Sequence, residues 1–277
     1  MVNFIEGQVS INGTLLNTKQ NGQASLQPNQ VLTTNVGKAE ILLSPGVFLR
    51  VGDRGELRMV SADTVDPVVE LVHGEALIEA DRKGAHAHVL QQGANAAILK
   101  EGLYRFNADR SQIQVIDGKI SLSANGQTKE LGRGREADLG SGPKIKTVSF
   151  DRKAEDNLYQ WSSIRAGYLA EASGYAAQNI YAGNPSPYYA VNGWYWDPYF
   201  AAWDWMPGYG FFYGPFGYPF FSPGFAFYGG YGRFGHPGFY GRPGFVGSRG
   251  VSAMTAHGFS GGGFRGGGFR SGGGGRR

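Results

Sequence analysis

The sequence predicts a mainly β protein: a jelly-roll-like or sandwich domain, then one helical segment, then a Gly- and aromatic-rich tail. Three observations carry this. A ten-residue pattern of aliphatic residues around an x-Gly step recurs three times within the first 148 residues. Between the repeats, short apolar runs alternate with turn signals at close intervals, the signature of many short strands. At about Asn184 the polymer changes character, because residues 184–277 hold no Leu, Ile or Lys but 26 Gly, 28 aromatics and 9 Pro.

Residues 1–148 form the expected β domain. The repeats are Val2–Ile11, Val69–Ile78 and Ile113–Leu122. Taken as one straight strand, each loses its apolar parity midway. Taken as hairpins, Val2 pairs with Ile11 and Phe4 with Val9, while Ile113, Val115, Ile120 and Leu122 share a face around Asp117-Gly118. Asp-Gly suits a two-residue turn, whose central residues both need positive φ. Glu6 and His73 suit it less well, so a bent strand with Gly at a bulge is the competing reading. Further strands are expected at Ala39–Leu43, Val47–Val51, Ala97–Leu99 and Leu103–Phe106, with turns at Ser44-Pro45-Gly46, Gly52–Gly55 and Asn125-Gly126.

Residues 149–183 form a helical neck. Ser149 or Asp151 can cap a helix starting at Arg152, and Asp151, Glu155 and Asp156 suit the positive end of its dipole. Leu158, Trp161, Ile164, Tyr168, Leu169, Ala172, Ala176 and Ile180 recur at steps that place a Trp161 face on the β domain. An oligomerisation helix is the alternative. Gly167 and Gly174 weaken the helix by about 1 kcal/mol each, and Gly183-Asn184-Pro185 ends it. Residues 184–232 are expected to be partly packed or irregular. Residues 233–277 are expected to be disordered, because aromatics separated by Gly cannot close a core against backbone entropy.

Charge follows the same division. The whole chain carries a formal +4, yet the tail alone holds seven Arg against Asp197 and Asp204, so the β domain and neck are close to neutral. A near-neutral domain gives no electrostatic footprint for nucleic acid. The absence of Cys excludes disulfides, thiol nucleophiles and Cys-ligated zinc. No apolar run is long enough for a transmembrane helix. Met1–Gly7 lacks the basic and apolar regions of a signal peptide although strand pattern begins at once, so the numbering is expected to begin at an internal or trimmed start.

The segment Val69–Ala80, followed by Gly102–Phe106 and Ile113–Leu122, with Val47–Arg50 upstream, resembles a FecR-like domain over roughly residues 31 to 140. The resemblance implies a β-rich module on the far side of the inner membrane, in a family that relays iron–siderophore signals to a sigma factor. The chain departs from that pattern. It shows no sigma-contacting segment and no membrane helix, and Leu103 stands where a small residue is usual. It is more similar to exported FecR-domain proteins that end in a biased tail.

The residues that could carry chemistry do not converge. His86 and His88 put two imidazoles on one strand face without a third ligand fixed by spacing, so neither a metal nor another cofactor is expected. His73 reads as solvated. Asp53-Arg54 and Asp117-Gly118-Lys119 read as turn chemistry. The Gly cluster at Gly261–Gly275 lacks the Lys-Ser/Thr ending of a phosphate loop. No enzymatic activity is expected. Function is expected in the aromatic region instead, with Trp194, Trp196, Trp203, Trp205, Arg265 and Arg270 as candidate adhesive residues. Their expected partners are envelope polymer, a membrane surface or another copy of the chain, on an exported protein of the periplasm or outer surface. A second reading is RNA binding through Phe264-Arg265-Gly266 and Phe269-Arg270. A third is a carbohydrate-binding β module using Trp and Tyr as stacking platforms.

Overall fold

A computed structural model of the chain describes residues 1–140, 142, 144–153, 155–183, 193–197 and 201–225. All of them fall within one unit, Met1–Tyr240. The expected disorder of residues 233–277 lies outside the described residues.

The fold is mainly β, as the sequence predicts. In chain order the strands are β1 (Val2–Ile11), β2 (Thr14–Leu15), β3 (Val31–Ser44), β4 (Val47–Val51), β5 (Glu56–Ser61), β6 (Val68–His73), β7 (Glu75–Ala80) and β8 (His88–Gln91). They continue with β9 (Ala94–Ile98), β10 (Gly102–Asn107), β11 (Gln112–Asp117), β12 (Lys119–Ala124), β13 (Gln127–Gly132), β14 (Arg135–Asp138) and β15 (Lys146–Ser149). Helix α1 (Asn157–Gly183) follows. Two small hairpins come next, β16 (Gly193–Asp197) with β17 (Ala202–Met206) and β18 (Phe211–Tyr213) with β19 (Pro219–Phe221).

Hydrogen bonding runs unbroken through β13-β12-β9-β8-β6-β5-β3-β4-β7-β10-β11-β14-β15, with β1 beside β3 and β2 beside β1. The ribbon curls at β3, whose Val31–Thr33 pair with β5 and whose Ala39–Ser44 pair with β4. Its two halves face each other across one core. Leu57, Val69, Leu71, Ile120 and Leu122 enter from the first half, and Val47, Leu49, Ile78, Phe106 and Val115 from the second. Full burial of each such side chain contributes roughly 1.5–3 kcal/mol.

The three x-Gly repeats are corners, and the hairpin reading is corrected. β1 is one bent strand in which Phe4 opposes Glu40 and Ile11 opposes Leu32, with an irregularity between Gly7 and Val9. β6 pairs with β5 and β8, whereas β7 pairs with β4 and β10. β11 likewise pairs with β10 and β14, and β12 with β9 and β13. A hairpin needs positive φ at two successive residues, as at Asn12-Gly13, Gln92-Gly93 and Asn125-Gly126. At the repeats only Gly7, Gly74 and Gly118 have it, so the chain bends and crosses from one half of the ribbon to the other. Each corner is also tight. A Cβ on Gly7 would stand 2.2 Å from the Val36 carbonyl oxygen, and one on Gly74 would stand 2.7 Å from the Cα of Gly55.

Helix α1 starts at Asn157 rather than Arg152. Ser149 still belongs to β15, and Asp151 accepts the Lys153 amide in a turn at 2.9 Å. Asp156 does the capping, its Oδ1 accepting the Tyr159 amide at 2.7 Å. The helix packs Leu158 and Trp161 on Leu77, Leu103 and Ile116 of the sheet, and Trp161 Nε1 donates to Glu6 at 2.8 Å. Ile164 and Tyr168, expected on the packed stripe, are instead exposed. The buried stripe takes in Ser162, Arg165 and Ser173 beside Ala166, Leu169, Ala172 and Ala176. The reason is the surface beneath it, which is charged.

Candidate functional site

The outer face of the second half of the ribbon is built by strict alternation. In β4, Val47, Leu49 and Val51 enter the core, so Phe48 and Arg50 point away from it; in β7, Leu77 and Glu79 do the same. Such a face would ordinarily meet water. Here it is covered by α1 and the two hairpins, and β4 is buried from end to end.

Charges trapped on that face are paired. Register sets Glu40 of β3 opposite Arg50 of β4. Arg50 Nε donates to Glu40 Oε2 at 2.9 Å and Nη1 to Glu79 Oε2 at 2.6 Å. Arg165 descends from α1 to donate to Glu40 Oε1 at 2.9 Å, with its guanidinium 4.0 Å from the centre of the Phe4 ring. Burial alone would raise Glu40, but Arg165 and then Arg50, with their hydrogen bonds, outweigh it and hold its carboxyl at about 2. Burial raises Glu79 against the pull of Arg50. Burial, then the neighbouring Glu79, raises Asp81 well above the usual carboxylate range. Burial does the same to Asp204 of β17, although its Oδ1 accepts the Trp205 amide at 2.8 Å.

Asn3 ties the cover to the sheet. A register shift between Val2 and Phe4 turns its side chain outward. There Oδ1 accepts the Trp203 amide at 2.7 Å, while Nδ2 donates to the Trp203 carbonyl at 2.9 Å and to Glu40 at 3.0 Å. Asn3→Ala is expected to cost about 2–4 kcal/mol, because it removes these bonds and leaves buried backbone groups unpaired. Urea unfolding followed by tryptophan emission measures it.

The four candidate tryptophans lie in this cover. Trp194 meets Phe48 edge-on at 5.7 Å, and Trp196 meets Trp203 at 5.6 Å. Trp203 Nε1 donates to the Gly22 carbonyl at 2.7 Å. Trp205 is only 4% exposed and packs on Phe212, which stacks on Phe220. These indoles therefore hold the hairpins to the domain. Arg265 and Arg270 lie outside the described residues. The aromatics most open to solvent are others: Tyr168 and Tyr175 on α1, 50% and 52% exposed beside Ile164, Tyr209 just before β18, 94% exposed, and Phe211 and Tyr213 of β18, 38% and 52% exposed. Sequence reasoning missed them. The signal was Arg165, whose place on the stripe turns Ile164 and Tyr168 outward.

A polar cleft of about 180 Å³ opens beside the helix start, lined by Glu75, Arg105, Asn107, Arg110, Gln112, Gln114 and Asp156. Arg105 bridges Glu75 at 3.1 Å and Asp156 at 3.0 Å. Burial first, then Asp156, pushes Glu75 up to about 7 despite Arg105. The two carboxylates share Arg105, and the cleft joins α1 to the sheet.

His88 is engaged on both ring nitrogens, with Nδ1 3.0 Å from Asn95 Oδ1 and Nε2 3.3 Å from Asp66 Oδ1. His86 is exposed. Among the described residues, no three His, Asp or Glu side chains group so as to hold a metal. Nor is any described helix long and apolar enough to cross a membrane.

No protein-family model matches the sequence, and no curated protein matches it. Two crystal structures of a candidate anti-sigma factor from Parabacteroides distasonis are similar to the chain. One is 16% identical with a TM-score of 0.38, covering 44% of this chain and 61% of that one. The other is 14% identical with a TM-score of 0.38, covering 50% and 64%. The chain thus spans less than two thirds of the length of either, and likeness at this level carries nothing about its partners.

Proposed function

We propose that the chain is a non-enzymatic cell-envelope protein, a FecR-like β module that associates with envelope polymer, a membrane surface or further copies of itself through aromatic side chains. The observation that carries this reading is the set of exposed aromatics, Tyr168, Tyr175, Tyr209, Phe211 and Tyr213, on the cover of the β domain. The Phe-, Tyr- and Arg-bearing sequence after Phe225 adds to that capacity. The FecR-like part of the reading draws support from contiguity. The segments that carry the resemblance supply β4, β7, β10 and β11, which are consecutive neighbours in the ribbon, together with β6 and β12 of its other half. Sigma-factor relay is not part of the proposal.

Sedimentation velocity over a concentration series tests it. The full chain is expected to self-associate and to remain associated between low and moderate salt. The triple variant Tyr168→Ser, Tyr175→Ser, Tyr209→Ser is expected to weaken association about tenfold to a hundredfold, at roughly 0.5–1 kcal/mol per aromatic contact. Fractionation of native cells is expected to recover the protein with the envelope. Recovery in the cytosol on nucleic acid, with binding that collapses as salt rises, would replace this reading with the RNA-binding one.

A further inference from the structure

The seam between the end of β7 and the β18–β19 hairpin holds more acid than base. Arg50 and Arg165 balance Glu40 and one further carboxylate. Charges on all of Glu79, Asp81 and Asp204 would leave the seam doubly negative and out of water. The geometry shows the same deficit. Both carboxyl oxygens of Asp81, Oε1 of Glu79 and Oδ2 of Asp204 are buried without a hydrogen-bond partner. An ionised carboxylate only accepts, so facing carboxylates need a donor, and a proton on one of them supplies it. The other groups turned toward this seam are Tyr159 of α1 and Tyr218 of the β18–β19 turn, with Asp197 of β16 beside Asp204. None of them brings a positive charge; Arg82, beside Asp81 in sequence, turns its Nε to the Pro45 carbonyl at 2.6 Å, and Arg105, which acts on Tyr159, bridges Glu75 and Asp156.

The hairpin closes the seam from above. A methyl placed on Gly214 would lie 3.1 Å from Asp81 Oδ1, 3.2 Å from the Phe220 ring and 3.4 Å from Glu79 Oε1. β7 is held on both sides by β4 and β10, whereas β18 and β19 have three residues each and pair only with one another. Of the two walls, the hairpin opens at the lower cost.

We propose that this seam is a proton-operated latch, in which Asp81 and Asp204 retain protons while the aromatic cover is seated and lose them when it lifts. The sign follows from linkage. Burial raises these carboxyls in the seated form, while the opened form returns them to the ordinary carboxylate range. Each proton released makes opening about tenfold easier per pH unit between those two ranges. The cover is therefore tightest in acid and loosens as pH rises.

Hydrogen exchange on the full chain tests this, read by mass spectrometry across roughly pH 5 to 9 and corrected for intrinsic rates. Peptides spanning Ala202–Met206 and Phe211–Phe221 are expected to open more with each pH unit, while those of β4 and β7 do not. Asp81→Asn, which keeps shape and removes the acid, is expected to flatten that slope by one proton. An infrared difference spectrum between the unaltered protein and Asp81→Asn near neutral pH, in which the Glu75 carboxyl cancels, is expected to show a protonated-carboxyl stretch that disappears as the cover opens. Opening that ignores pH, an unchanged slope in Asp81→Asn, or a spectrum without protonated carboxyl would each overturn the latch.

Discussion

Arg50→Met is expected to destabilise the protein by about 3–5 kcal/mol, the cost of removing one partner from a fully buried charge network. Arg50 and both of its carboxylate partners are sealed from solvent, so water cannot take over when the guanidinium is gone. Glu40 keeps Arg165 and Asn3, but Glu79 loses the one cation paired with it among the described residues. In the variant Glu79 must fold protonated, so the deficit is expected to be smaller near pH 5 and to grow as pH rises through neutrality. Adding Glu79→Gln is expected to recover part of the loss by deleting the unpaired acid. Urea unfolding at two pH values, read by circular dichroism, measures all three effects. Exposed pairs such as Arg58–Glu70 and Lys119–Glu130 offer a contrast, because breaking either is expected to cost under about 1 kcal/mol.

Gly118→Ala is expected to cost a further large amount, about 3–5 kcal/mol, from left-handed backbone strain together with overpacking. Gly118 has φ of 91°, and a Cβ there would stand 2.1 Å from the Tyr104 hydroxyl and 2.7 Å from the Glu101 carbonyl oxygen. Tyr104 cannot swing aside freely, since its hydroxyl donates to the Lys100 carbonyl at 2.5 Å and accepts the Lys119 amide at 3.1 Å. Gly126 makes the control. It too has positive φ, but nothing lies within 4 Å of an added Cβ, so Gly126→Ala is expected to lose only about 1–2 kcal/mol. The difference between the two variants isolates the close approach at the corner from the backbone preference.

Strand positions were legible because period-2 patterning states directly which residues share a face. Val47–Val51 and Ile113–Leu122 are strands for the reason their sequence suggests. Pairing was not legible at the x-Gly steps. Asp117-Gly118 has hairpin composition, yet Gly102 stands against the corner, and that neighbour sixteen residues upstream decides between a turn and a bend. The face of α1 was misread for a related reason. Ile164 is the more apolar residue and Arg165 the buried one, because Glu40 waits below the helix for a cation. The tryptophans were identifiable as a cluster, but their direction depended on that same sheet face. Nothing near Trp203 in the sequence announces that Asn3 and Gly22 will hold it.

Hydroxyl-radical footprinting of the full chain over a concentration series tests most directly the claim that outward tyrosines, on a cover anchored by tryptophans, mediate association. Trp203 and Trp205 are expected to oxidise slowly at every concentration. Tyr168, Tyr175 and Tyr209 are expected to oxidise rapidly in dilute solution and to become protected as the chain associates. Tryptophans labelled as fast as Tyr209, or tyrosines that stay equally reactive while sedimentation shows assembly, would contradict it.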